Sequence, residues 1–443
     1  MTTMVAPEAH SGFLGSLPEA RKDVLAMLEH ARAAHGDLVW FRIGPRLRND
    51  GFLGVFDPHA AHQTLGPQWT EFRKDNPLYA ELRASVGDGL LTSQDDVWQR
   101  QRRLLAPLFT PKRVGSYLQT ISDVASETAQ HWLSGTVDLH REIGALTLAS
   151  TTRILFGRDA STLAPLVGAE YPVLAGTVFD RAYGFVRLPR SVPTPANLRL
   201  RRAEQRLRGA CDALIAGRRA SGAGDDLLGR LLVVRDDGTA LSDTEIREQV
   251  LIFLLAGFET TASAITFALY LIAGRPGIQQ RVRDEARAVL DGDEVPDDAL
   301  SRLEYTTQVV KEALRLYPPG ALVGRQSVDD TSLSGTAVPA GSAVMVAPWV
   351  IHRHPEFWPD PLRFDPERFA PDAVRAHDKH AFLPFGLGPR ICIGNHFATA
   401  EMVLAVARIV RDIELSAPDR ALRVTMHVTL RPTDPVRVQV RRI

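Results

Sequence analysis

The run VLIFLLAGFETTASAITFALYLIAG, residues 250–274, is long and apolar enough to cross a bilayer, yet Glu259, Thr260 and Thr261 sit near its middle. A carboxylate at that depth in lipid is costly. Just upstream, LSDTE places Ser242 and Glu245 at capping-box spacing, and Arg275 and Pro276 end the pattern. These signals predict one helix from Ser242 to Ala273, roughly 45 Å long at 1.5 Å per residue and buried on all sides in a large domain. An unpaired buried charge is unfavourable, so Glu259 is expected to face a cavity.

Composition supports that reading over a membrane span. A chain of 443 residues with 45% hydrophobic content can bury a large core. Helical spacing recurs over Gln99 to Phe109, Val114 to Leu133, Leu139 to Phe156, Leu198 to Ala220, Ile278 to Leu290, Thr306 to Tyr317 and His396 to Arg411. Residues 40–57 read as two short strands joined by a Gly/Asn/Asp turn, and Val323 to Val346 holds further strand-like runs. Val424 to Leu430 with Val436 to Val440 is expected to form a terminal hairpin. The fold class is therefore mainly α with a minor β-sheet. Basic and acidic residues number 52 each, so no net field favours nucleic acid. The opening residues show no basic segment followed by an apolar one, which predicts a cytoplasmic chain with no membrane anchor. SGAGDD at 221–226 is expected to be a loop inside the domain.

Two cysteines, Cys211 and Cys392, are too few for a disulfide framework. Cys392 lies in FGLGPRICIG, beside Arg390 and just ahead of a helical run, where positive charge and a helix N-terminus favour a thiolate. Such a sulfur can be a nucleophile or a metal ligand, whereas Cys211 has no such surroundings. The glycines are not a dinucleotide fingerprint, because Ile391 replaces the third glycine. Glu312 and Arg315 stand three apart and can share a helix face. HRHP at 352–355 invites a metal reading, but two histidines need a third ligand nearby and the stretch offers none, so no metal is assigned.

FGLGPRICIG resembles FxxGxRxCxG, the haem-binding loop of the cytochrome P-450 family of haem-thiolate monooxygenases, with Phe385, Gly388, Arg390, Cys392 and Gly394 in place. AGFETT at 256–261 resembles the oxygen-side motif of that family, and EALR, Glu312 to Arg315, its Glu-x-x-Arg pair. FDPERF at 364–369 offers Arg368 as a third member of the cluster. All four stretches occur in the family's order, and with WQRQR near residue 100 the resemblance covers essentially the whole chain. It implies the P-450 fold as a single large domain, residues 36–443, after an N-terminal segment 1–35.

What the resemblance implies about function is specific. Cys392 is expected to be the axial ligand of the iron in haem b, and Trp98, Arg102, Arg325, Arg390 and Phe385 to help hold the haem, the arginines and the indole through its carboxylates. Glu259 and Thr260 are expected to be catalytic, lining an oxygen groove where the backbone opens at Gly257 and supplying protons in order. Glu312 and Arg315 are assigned a structural role. The expected partners are a lipophilic small-molecule substrate, dioxygen and a ferredoxin or similar redox partner, since no reductase follows in the chain. Arg100, Arg103 and Lys112 are expected to form a basic patch for that donor. The protein is expected to be a monomer. The alternatives are a haem-thiolate peroxygenase or isomerase, or a non-catalytic haem sensor. Pocket walls are expected from a 72–96 loop, the 165–200 region, the central helix, Pro318 to Val323 and the terminal hairpin.

Overall fold

The computed structural model describes residues 5–9, 12, 14–44, 51–157, 163–184, 188–222, 224, 226–236 and 239–443. The chain divides into two compact units interleaved along the sequence. One is Met1–Asn76, Lys311–Cys392 and Thr429–Arg431, and the other is Pro77–Val310, Ile393–Val428 and Pro432–Ile443.

The first unit is organised by a five-stranded sheet, in the order Leu38–Arg42, Gly51–Val55, Ala343–Val346, Val323–Ser327, Phe72–Arg73. Leu38 pairs with Val55 in an antiparallel ladder, as the pattern at 40–57 predicts, and the expected turn at 45–50 lies outside the described residues. Gly51–Val55 then pairs in parallel with Ala343–Val346, a non-local contact that no hairpin rule foretells. Leu53, Val55, Val344 and Val346 carry the sheet's buried face, packed with Ala60, Ala61 and Leu65 of the helix Pro58–Leu65. Asp57 caps that helix by accepting from the N–H groups of His59 and Ala60. Leu17–His35, within the expected N-terminal segment, is a helix.

The second unit is mostly helical. Its central helix spans Asp243–Ala273, with Ser242 as N-cap and the capping box with Glu245 formed in both directions. It is the one helix among the described residues long and apolar enough to cross a membrane, but 83% of its most apolar 18-residue window is buried inside the protein. It is a core helix. Leu139–Phe156 flanks it, and the terminal helix Asn395–Asp412 lies against it as well.

Proline and pairing partners account for the differences from the sequence reading. Gln99 to Phe109 is a helix Asp95–Leu105 followed by a 3₁₀ turn Ala106–Phe109, because Pro107 cannot continue the α ladder. Val114 to Leu133 divides into Pro111–Gly115 and Leu118–His131. Residues 72–96, expected as a loop, include the strand Phe72–Arg73 and the helix Pro77–Val86, and Leu163–Tyr183 is a helix that tolerates Pro172. The terminal hairpin is not formed as expected. Arg437–Arg442 pairs instead with Ile413–Ser416 on one side and Ser134–Asp138 on the other. The loop expected at 221–226 follows a helix ending at Ser221, with residues 223 and 225 outside the described set.

Candidate functional site

In the first unit the cysteine loop is built by glycines. Gly386 and Gly388 have φ of 74° and 69°, in the left-handed region where a side chain is disfavoured. At Gly388 a Cβ would also lie 1.9 Å from the Leu65 carbonyl oxygen, so the loop packs against the helix Pro58–Leu65 at a distance only glycine permits. The chain then closes on itself. The Ile391 N–H donates to the Gly388 carbonyl and the Cys392 N–H to the Phe385 carbonyl, each at 3.0 Å. Phe385, Arg390 and Cys392 are thereby brought into one turn.

The two sulfurs could hardly differ more. Cys392 is exposed and Cys211 is buried. Burial, together with nearby Asp212, pushes the Cys211 thiol up to about 12, which removes it as a thiolate ligand near neutral pH. The accessible sulfur is the one beside Arg390 and ahead of a helix N-terminus, as a ligated thiolate requires. The donor set therefore fits haem iron, with Cys392 as the residue that would hold it.

Behind the loop, in the same unit, Glu312 and Arg315 are fully buried. Arg315 donates from Nε and Nη2 to the Glu312 carboxylate at 2.7 and 2.8 Å, and from Nη1 to the carbonyls of His352 and Pro361 at 2.8 and 2.7 Å. Arg368 Nε lies 3.5 Å from the same carboxylate, and the Asp365 N–H donates to it at 2.9 Å. Burial raises the Glu312 pKa, against the pull of Arg315 and Arg368. Six polar groups converge on one point, which ties the helix Glu304–Leu316 to the 352–368 segment. The histidines of HRHP are structural too. His352 Nε2 accepts from the Leu383 N–H at 2.9 Å, and burial lowers its pKa to about 3. No group of three or more His, Cys, Asp or Glu that could hold a metal ion occurs among the described residues.

The remaining expected haem contacts are placed unit by unit. Arg325 lies on the strand Val323–Ser327 in the first unit, 4% exposed, with Nη1 donating to the Gly324 carbonyl at 2.9 Å. In the second unit Trp98 and Arg102 occupy one face of the helix Asp95–Leu105, Trp98 buried and Arg102 half-buried. An indole N–H and a guanidinium on one face suit a carboxylate.

On the central helix the expected opening at Gly257 is not present, since Asp243–Ala273 is continuous. Helical rotation instead separates the two expected catalytic residues. Thr260 is half-buried, and its hydroxyl donates to the Ala256 carbonyl at 2.7 Å. Glu259 is only 6% exposed, with its Oε1 3.9 Å from His140 Nε2 on the flanking helix. It is buried beside that ring. The sequence carries no signal for His140, a lone histidine in DLHREIG. The expected donor patch is also reduced. Arg100 Nη1 donates to Glu245 at 2.6 Å, so its charge is compensated, while Arg103 and Lys112 are exposed.

Comparison with known proteins converges on one family. Residues 7–440 match the family described as Cytochrome P450. The chain is 35% identical over 382 residues to the cyclooctat-9-en-7-ol 5-monooxygenase of Streptomyces melanosporofaciens, covering 85% of this chain and 82% of that one. It is also 35% identical over 399 residues to the pentalenene oxygenase of Streptomyces avermitilis, covering 88% and 87% respectively. Among solved structures, the cytochrome P450DA heme domain aligns with a TM-score of 0.88 at 27% identity, over 100% of this chain and 99% of that one. The chain belongs to the cytochrome P450 family, and it is a monooxygenase whose cofactor is haem b.

Proposed function

We propose that this monooxygenase inserts one oxygen atom of dioxygen into a cyclic terpenoid or a similarly lipophilic small molecule, taking electrons from a separate ferredoxin and its reductase. The observation that carries the reading is the accessible Cys392 in a glycine-built loop, on a chain whose other cysteine is buried and un-ionised. The substrate class rests on the two relatives named for cyclooctat-9-en-7-ol and pentalenene. The domain that performs the chemistry is assigned to residues 36–443.

Bound haem supplies dioxygen activation, with the thiolate donating electron density that favours O–O cleavage. The chain's own part is to hold and protonate. Cys392 would be the iron ligand, Phe385 packs in the cysteine loop, and Trp98, Arg102, Arg325 and Arg390 would hold the haem carboxylates by charge-assisted hydrogen bonds. Thr260 offers a hydroxyl on the more open side of the central helix, and Glu259 keeps an ionisable group one residue away inside an apolar helix.

A panel of cyclic terpenes, fatty acids, steroids and polyketides, read by the spin-state shift of the Soret band and then by product mass, tests the substrate class. Cyclic terpenes are expected to shift the band and to be hydroxylated or epoxidised only when reductant and ferredoxin are present. Equal turnover with hydrogen peroxide and no reductant would establish the peroxygenase alternative. For the protons, Thr260→Ala is expected to retain haem and dioxygen consumption but to release more of that oxygen as hydrogen peroxide. If the variant is destabilised with its product-to-peroxide ratio unchanged, Thr260 only satisfies the Ala256 carbonyl.

A further inference from the structure

Each monooxygenase turnover takes up two protons, and a carboxylate that is 6% exposed must be reloaded after giving one away. The structure assigns that role to His140. We infer that its imidazolium passes a proton to Glu259 and is recharged from solvent, an inference that rests on the proposed role of Glu259.

The geometry supplies both ends of the path. His140 Nε2 stands 3.9 Å from Glu259 Oε1, and the side chains are 26% and 7% exposed. The His140 ring is partly exposed while its Nδ1 is buried, so the proton it takes from solvent enters at Nε2, the nitrogen that faces the buried carboxylate. A small rotation of either side chain, or one intervening water, makes the contact a hydrogen bond. The neighbours of His140 along the helix do not substitute for it, because Arg141 and Glu142 pair with each other at 2.9 Å.

A polar strip continues inward from this pair. His140, Gly144, Thr147 and Thr151 follow helical spacing along one face of Leu139–Phe156. The Thr147 hydroxyl donates within its own helix to the carbonyls of Ile143 and Gly144 at 3.1 and 3.2 Å and lies 3.3 Å from the Phe258 carbonyl, and the Thr151 Oγ1 would lie 3.8 Å from a Cβ placed on Gly257. Thr151 is fully buried, and its Oγ1 has no hydrogen-bond partner. A helix interface that needed only packing would carry apolar residues at those positions, since an unsatisfied buried hydroxyl costs stability. Tyr171 closes the other side, its ring 5.3 Å from that of Phe258.

The step balances simply. The Nε2–H of the imidazolium moves to Oε1, leaving neutral imidazole and a carboxylic acid, and the imidazole then takes one proton from water. No electron is transferred. His140 acts through Glu259 and is a proton-positioning residue, with no contact to substrate required.

The test uses the haem-loaded full chain with labelled histidine. In the diamagnetic ferrous, carbon monoxide-bound protein, the ring signal of His140, assigned by its loss in His140→Gln, is titrated with and without Glu259→Gln. The carboxylate is expected to hold the His140 pKa at least half a unit higher than in Glu259→Gln. In parallel, ferredoxin-driven dioxygen consumption is measured in light and heavy water. His140→Gln is expected to slow it threefold or more and to enlarge the solvent isotope effect, while His140→Lys, which can also exchange protons, recovers part of the rate. An unchanged His140 titration, or an unchanged rate and isotope effect in His140→Gln, overturns the inference. If Glu259→Gln itself leaves the rate and isotope effect unaltered, the underlying reading of Glu259 fails instead.

Discussion

Glu401 on the terminal helix provides the sharpest stability test, because it is a carboxyl with no exposure at all. Burial pushes its pKa from 4.5 up to about 8, opposed by the nearby Ser150 hydroxyl. Ser150 favours the ionised form electrostatically, yet no hydrogen bond of ordinary geometry reaches either carboxyl oxygen. Burial therefore favours the neutral carboxyl in the folded chain. For an acid whose folded pKa is raised, stability is fully present below the unfolded value and declines as pH rises. Between 4.5 and about 8 the unfolded chain releases a proton that the folded chain keeps, which costs about 1.4 kcal/mol per pH unit and about 5 kcal/mol in all. Above about 8 both states are ionised and the loss levels off. Glu401→Gln keeps the shape and removes the titration. Denaturant unfolding of the haem-loaded protein by far-ultraviolet circular dichroism, at intervals from about pH 5 to 9, gives two curves whose difference isolates this side chain. That difference is expected to grow in favour of the variant up to about pH 8 and then flatten. Parallel curves would refute the argument that this carboxyl folds in its neutral form.

Three further outcomes follow from the site. Reduced protein with carbon monoxide is expected to show the red-shifted Soret band of thiolate ligation, lost in Cys392→Ser and retained in Cys211→Ala; a thiolate band surviving in the first variant would contradict the ligand assignment. Arg315→Met strips the buried Glu312 of its cation and three carbonyls of a donor, and is expected to cost about 3–5 kcal/mol in denaturant unfolding, whereas Arg363→Ala, whose side chain is 66% exposed, should change little. Charge reversal at Arg103 and Lys112 is expected to slow reduction by an acidic ferredoxin at low salt and to matter less as salt rises, and stopped-flow rates indifferent to both would remove that surface from the account.

What the sequence made legible was what short-range chemistry specifies. Ser242 and Glu245 lie close enough to announce their helix, and FGLGPRICIG concentrates its turn, its sulfur and its charge in one stretch. The alternation of VRVQV marks a strand, but alternation says nothing about which strands will be its partners, and those are Ser134–Asp138 and Ile413–Ser416. The helix Leu17–His35 is not anticipated although Leu25, Leu28 and Ala31 form its buried stripe; its backbone kinks at Asp23, with φ −162° and ψ 100°, so the buried stripe is confined to the segment after the kink. Leu163–Tyr183 was obscured by Pro172. Arg100 looked like a free surface cation because its partner, Glu245, belongs to a distant helix cap.

The carboxylate in the apolar run illustrates the same limit at the functional level. Successive side chains on a helix diverge by about 100°, so Glu259 and Thr260 cannot share one surface. Thr260 takes the side where Ala256 is exposed and Gly257 half-buried, and Glu259 takes the side covered by Leu139–Phe156. Adjacent letters thus serve different surroundings, one suited to meeting a ligand and the other to receiving a proton from a neighbouring helix. That division explains why an acid can persist in a helix apolar enough for a membrane. It is held 3.9 Å from the partly exposed His140 imidazole, whose protonated form would pair with the ionised carboxylate. A serine or asparagine there could not exchange a proton near neutral pH, and the proton role proposed for the position needs a titratable group.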